Sequence, residues 1–145
     1  MAGLPLVVDA SVAVKWFSMA GEDDVERAVD ILDRQAEGEL SLAAPDLLYY
    51  ELANALAHKR ALSVEEVQEA VRHIFALGLR TPPVDGELMA LSVNLARRAA
   101  ITVYDASYAA LAGKLKCPLV TANPRHQKQS LGCVVVPLRD WRPPA

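Results

Sequence analysis

The sequence predicts an α/β fold: a three-layer α/β/α sandwich around a mostly parallel central sheet of four or five strands. Three observations carry that expectation. Short apolar runs without alternation, such as Leu6-Val7-Val8 and Leu119-Val120-Thr121, read as strands buried on both faces. Between such runs lie longer segments whose apolar residues recur at helical spacing. No repeat and no linker-like stretch interrupts the chain, so residues 1–145 read as one domain, with a loose proline-rich tail from about 139.

The elements follow in order. Leu6-Val7-Val8 comes after Pro5 and ends in Asp9. Ala10 to Phe17 lacks turn residues and reads as a helix, with Ser11 as its expected N-cap. Asp9 therefore falls at the carboxyl end of a central strand, where open α/β sheets place their ligands. From Glu22 to Glu39, residues Val25, Ala28, Val29, Leu32 and Ala36 share one helix face, and Gly38 ends the pattern. Leu40 to Ala44 reads as the second strand. Pro45-Asp46 then starts a helix with Leu48, Leu52, Ala55 and Leu56 inward and Lys59 and Arg60 in its last turn.

Ser63 and Glu66 form a capping box. The helix they open carries Val67, Val71, Ile74 and Phe75, and Gly78 closes it. Pro82 and Pro83 demote the stretch from Arg80 to Val84 to an edge or a loop. Asp85 or Gly86 begins another helix, with Leu88, Leu91 and Leu95 inward. Ala100 to Val103 reads as a connection, and the alanine-rich stretch from Asp105 to Lys116 as a helix. After the strand at Leu119-Val120-Thr121, Asn123 is an expected N-cap followed by Pro124 at the first helical position. Gly132 breaks that short helix, and Cys133 to Val136 is the last strand. In the tail, Trp141 is a candidate to dock on the body.

Composition narrows the function. No apolar run approaches the roughly 20 residues of a membrane span. The start, MAGLPLVVD, lacks a basic region and meets an acid early, which points away from a signal peptide and towards the cytoplasm. Cys117 and Cys133 have no metal-ligand spacing, and His58, His73 and His126 are scattered, so a zinc site is not expected. The net charge of −3 argues against coating nucleic acid by bulk electrostatics, but not against acids concentrated in one pocket.

Four polar residues are candidates for such a pocket. Asp9 ends the first strand. Glu51 lies beside the apolar face of its helix in PDLLYYELANAL, where an unpaired carboxylate is costly. Asp105 begins a helix in TVYDASYAALA, and Asn123 follows a buried strand in LVTANP. Each also has a plain structural role open to it: capping for Asp9, Asp105 and Asn123, and an exposed helix position for Glu51.

Taken as an ordered set, VVDASVAVKWF, PDLLYYELANAL, TVYDASYAALA and LVTANP resemble the PIN-domain ribonucleases, most closely the VapC-type toxins of toxin–antitoxin pairs. The resemblance runs from Leu6 to Val136. It implies a PIN-like parallel-sheet fold, a Mg²⁺ or Mn²⁺ site, cleavage of single-stranded RNA, a homodimer and inhibition by a cognate antitoxin. It makes Asp9, Glu51 and Asp105 the catalytic and metal-binding residues. Ser11, Thr121 and Asn123 would act through metal-bound water.

The chemistry agrees. Phosphodiester hydrolysis needs an activated water and neutralised phosphate charge, which hard divalent ions held by oxygen ligands supply. Lys15, Arg125 and Lys128, with Lys59 and Arg60, are candidates to hold phosphates; Tyr49, Tyr50 and Tyr104 could stack on bases. One departure stands out. The fourth position, usually Asp in the family, is Asn123, which removes a charge and puts a second metal in doubt. A PIN-like RNA- or protein-binding module with weakened turnover is the alternative. A phospho-receiver domain is disfavoured, because one acid rather than a pair follows the first strand.

Overall fold

A computed structural model describes residues 3–123 and 131–145. The elements run β1 (Leu4–Val8), α1 (Ala10–Phe17), α2 (Val25–Ala36), β2 (Leu40–Ala43), α3 (Leu47–Ala57), α4 (Val64–Ala76), α5 (Gly86–Ala99), α6 (Val103–Leu115), β3 (Leu119–Thr121) and β4 (Val135–Pro137). A short 3₁₀ turn, Leu138–Asp140, follows β4. The four strands form one all-parallel sheet in the order β2-β1-β3-β4. Adjacent residues of a strand point to opposite faces, and Val7, Val8, Leu119 and Val120 are all 0% exposed. Both faces of the sheet are therefore covered, as the unalternated apolar runs require.

The strand order fixes where a site can form. The chain leaves β1 to build β2 on one side and later returns to build β3 on the other. The carboxyl end of β1 is thus a topological switch point, with a crevice between diverging connections. α1 and α3 start directly beyond the carboxyl ends of β1 and β2. α6 precedes a parallel strand, so its first turn also lies at that edge.

Local boundaries differ from the sequence expectation where one side chain decides them. Asp9, not Ser11, is the N-cap of α1, and Ser11 lies inside the first turn. α6 starts earlier than Asp105: Thr102 is its cap, and its hydroxyl accepts the Asp105 N–H at 3.0 Å. α2 spans the apolar pattern from Val25 to Ala36 and not the whole stretch from Glu22 to Glu39, because Asp24 at φ 56° sets its start and Gly38 at φ +79° turns the chain into β2. The last strand is displaced to Val135–Pro137, where Thr121 pairs with Pro137. Arg80 forms only an isolated bridge with Ala43.

The caps of α4 and α5 stand where the sequence puts them, whereas α3 ends at Ala57, before Lys59 and Arg60, and Leu91 of α5 is exposed. Ser63 and Glu66 make both bonds of the capping box. Asp85 caps α5 through the Leu88 N–H at 2.8 Å. Trp141 is buried against the body, while residues 142–145 are exposed. The short helix expected after Asn123, and the cap it would form there, lie outside the described residues.

Candidate carboxylate site

Asp9 is 4% exposed, a carboxylate taken almost wholly out of water. Its side chain makes no capping bond to α1. It accepts hydroxyl protons on Oδ2 instead, from Ser11 at 2.5 Å and from Thr121 at 3.0 Å. The sheet register explains the second bond. Val8 pairs with Val120, so the next residues, Asp9 and Thr121, end adjacent strands side by side. The Asp9 N–H continues the ladder onto the Val120 carbonyl at 3.1 Å. The hydroxyls organise the loop beyond β3 as well: Ser11 Oγ accepts the Ala122 N–H at 3.0 Å, and Thr121 Oγ1 accepts the Asn123 N–H at 2.9 Å.

A second carboxylate joins from α3. Glu51 is half-buried beside Leu48 and Leu52, and its Oε1 accepts the phenolic proton of Tyr108 at 2.5 Å. Tyr108 rises from α6 and is 0% exposed. Burial, together with the negative charges of Asp9 and Glu51, holds its phenol far above the ordinary tyrosine range. One phenol thus feels two carboxylates from two different elements. Asp105 stands three residues before Tyr108 on the same helix, hence on the same face and one turn nearer the helix N-terminus.

The expected residues divide as follows. Asp9, Ser11 and Thr121 form one bonded cluster; Glu51 is bonded to Tyr108, whose phenol feels the charge of Asp9; Asp105 sits in the first turn of α6. Asn123 follows Thr121 directly. Among the described residues, no group of three or more His, Cys, Asp or Glu side chains is placed to hold a metal ion. The donor types nevertheless suit a hard divalent cation. The Asp9 carboxylate and the hydroxyls of Ser11 and Thr121 that donate to it are all hard oxygen donors.

The cations and aromatics are less simply placed. Lys15 is buried; its ammonium donates to the Asp23 carbonyl at 2.7 Å and pairs with Glu22 at 3.6 Å. It also lines a cavity of about 210 Å³ with Thr121, Ala122 and Arg139. Arg125 and Lys128 lie outside the described residues. Tyr49 stacks on Phe75 with ring centroids 4.0 Å apart, whereas Tyr50 and Tyr104 are exposed. A larger cavity of about 510 Å³ opens between Leu4, Leu40, Cys117 and Trp141, at the amino ends of the strands and away from Asp9.

Sequence reasoning gave Tyr108 no role. The signal was its spacing from Asp105: three positions along a helix place both side chains on one face, and a tyrosine on a buried face needs a partner for its hydroxyl.

Comparison with known proteins places this geometry in a family. Among solved structures, FitAcB from Neisseria gonorrhoeae superposes with a TM-score of 0.69 at 17% identity, over 94% of this chain and 99% of that one. VapBC2 from Rickettsia felis, bound to a DNA fragment from their promoter, gives 0.67 at 14% identity, over 92% and 98%. A toxin–antitoxin complex from Klebsiella pneumoniae gives 0.65 at 16% identity, over 90% and 95%. At such identities the likeness establishes the fold. No curated protein matches the chain. Residues 6–130 match the family model of the PIN domain, a span from β1 through the connection after β3, and the chain belongs to the PIN domain family.

Proposed function

We propose that this chain is a metal-dependent endoribonuclease that cleaves single-stranded RNA, and that it is the toxin of a toxin–antitoxin pair. The observation that supports it most is the buried Asp9 carboxylate, held by Ser11 and Thr121 at the switch point, with a second carboxylate, Glu51, held by the buried Tyr108. A buried carboxylate retained at a strand end is costly unless a cation or donors compensate it.

The residues divide the work. Asp9 is the fixed oxygen ligand for Mg²⁺ or Mn²⁺. Glu51 completes the ligand set or orients the attacking water as a base. Asp105 would contribute the third carboxylate from α6, and Asn123, Ser11 and Thr121 would supply polar groups for water held by the ion. The bound divalent cation supplies an acidified water and neutralises charge on the scissile phosphate. Arg125 and Lys128 hold flanking phosphates of the RNA, whereas Lys15 is buried on Asp23 and Glu22 and braces the turn before α2 instead.

The solved toxin–antitoxin complexes that share this fold support an antitoxin as the natural partner. A guanidinium or ammonium from that inhibitor would suit the acidic pocket, because it replaces the cation's charge. A homodimer would use apolar helix surface left outside the core. Phe75 and Leu91 are exposed apolar side chains of this kind. No helix among the described residues is long and apolar enough to cross a membrane, and a cytoplasmic location accords with this reading. The neutral Asn123 favours one alternative, a PIN module that binds RNA or protein with weakened turnover. A cleavage assay on single-stranded RNA with Mn²⁺ separates the two: turnover that EDTA abolishes supports the nuclease, and binding without turnover supports the module.

A further inference from the structure

We propose that Tyr108 is a positioning residue of the carboxylate site: its phenol fixes the Glu51 carboxylate. The proposal rests on the nuclease reading above and extends it to a residue that contributes no carboxylate.

The bonding sets the roles. A phenol carries one proton. Tyr108 gives it to Glu51 Oε1 at 2.5 Å, so it is not also a donor to Asp9. Asp9 has its own donors, Ser11 and Thr121. Three hydroxyls from α1, β3 and α6 therefore orient two carboxylates from the end of β1 and from α3.

Tyr108 suits this task better than a solvent-facing donor. It is 0% exposed, and its ring is rigid and held inside the protein on a helix whose Ala106, Ala109, Ala110 and Leu111 are buried too. Glu51, by contrast, has a flexible side chain on a half-buried helix face. A charge-assisted hydrogen bond from a fixed ring selects one of its rotamers. The same helix carries Asp105 one turn away. Docking of α6 on β1 thus sets the third carboxylate and the clamp on the second in a single packing event. Partners of this kind, which touch a ligand rather than the metal, typically govern affinity or activity by 10–100-fold.

Tyr108→Phe is the test, because it keeps the ring and removes only the hydroxyl. Mn²⁺ titration calorimetry should show affinity weakened by roughly 10–100-fold. RNA cleavage should lose kcat by a similar factor with KM for RNA unchanged. In a Glu51→Gln background the same substitution should add less than about twofold, since the two act as one unit. A Tyr108→Phe protein that melts lower yet keeps wild-type Mn²⁺ affinity and kcat overturns the proposal, because the bond would then serve only stability. Full additivity with Glu51→Gln overturns it too. If Tyr108→Phe does not fold, NMR of the wild-type chain decides: a Tyr108 phenolic proton whose resonance moves on Mg²⁺ binding supports the clamp, and an unmoved resonance refutes it. A wild-type chain that neither binds Mn²⁺ nor cleaves RNA overturns the nuclease reading itself, a failure visible before any variant is made.

Discussion

Thr121 Oγ1 donates to Asp9 Oδ2 at 3.0 Å and so ties together the carboxyl ends of two adjacent parallel strands. Thr121 is 0% exposed, and its hydroxyl also accepts the Asn123 N–H at 2.9 Å. Thr121→Val keeps the shape and removes both bonds. A hydrogen bond to a charged group contributes about 1.5–3 kcal/mol, and an orphaned partner adds to the loss. Urea unfolding should show destabilisation of roughly 2–3 kcal/mol. An unchanged midpoint would mean that the bond contributes nothing to folding.

Asn123 offers a sharper test of the pocket's charge. Asn123→Asp adds a negative charge directly after Thr121. At an effective dielectric near 20, a unit charge about 4 Å from a divalent ion gains several kcal/mol before desolvation and much less after it. Calorimetric titration of Mn²⁺ should show tighter binding, with metal-free stability slightly reduced by repulsion from Asp9 and Asp105. Equal affinities in the two proteins would remove Asn123 from the site.

Cys133 sets a pH dependence. Burial, with the neighbouring Cys117, pushes its thiol up to about 11 from an ordinary 9.0, and burial raises Cys117 as well. A folded-state pKa above the unfolded value means that the native state retains a proton which the unfolded state releases. That stabilisation is fully present below about pH 9 and is lost as pH rises towards 11. Cys133→Ala should flatten the fall in melting temperature across this window. Both thiols should also alkylate slowly at pH 8, because the thiolate is the reactive form. Rapid labelling of the folded chain at pH 8 would contradict the burial of these groups.

The capping box gives a control away from the site. Ser63→Ala removes the 3.1 Å bond from the Glu66 N–H to the Ser63 hydroxyl. Loss of such a cap typically costs about 1 kcal/mol. Thermal unfolding should register that loss while Mn²⁺ affinity stays at the wild-type value. A change in Mn²⁺ affinity would show that α4 is coupled to the pocket.

The parts of this molecule legible in the sequence are those that local chemistry decides. Leu6-Val7-Val8 and Leu119-Val120-Thr121 are apolar without alternation because both sheet faces are covered, and the strands stand where those runs predicted. Ser63 with Glu66 announced a helix start within four residues. Asp9 stood out because a carboxylate ended such a strand. Other features depend on distant partners. Ser11 looked like a cap, but the neighbouring strand supplies Thr121 and turns the Ser11 hydroxyl to Asp9. Thr102 was passed over as the α6 cap although it precedes Asp105 by three positions. Tyr108 finds its partner 57 residues away, a pairing that only the fold reveals. Lys15 reads as a surface cation until the turn before α2 folds over it.

The central claim is that Asp9, Glu51 and Asp105 serve one metal-dependent cleavage of RNA. The most direct test follows the cutting of a labelled single-stranded RNA by the wild-type chain and by Asp9→Asn, Glu51→Gln and Asp105→Asn, in Mn²⁺ and in Mg²⁺, with melting temperatures recorded alongside. The expected result is wild-type cleavage that EDTA abolishes and a loss of at least about a hundredfold in each variant, with the fold retained. Wild-type protein that leaves the RNA intact in both metals, or an Asp9→Asn protein that cuts at the wild-type rate, would contradict it.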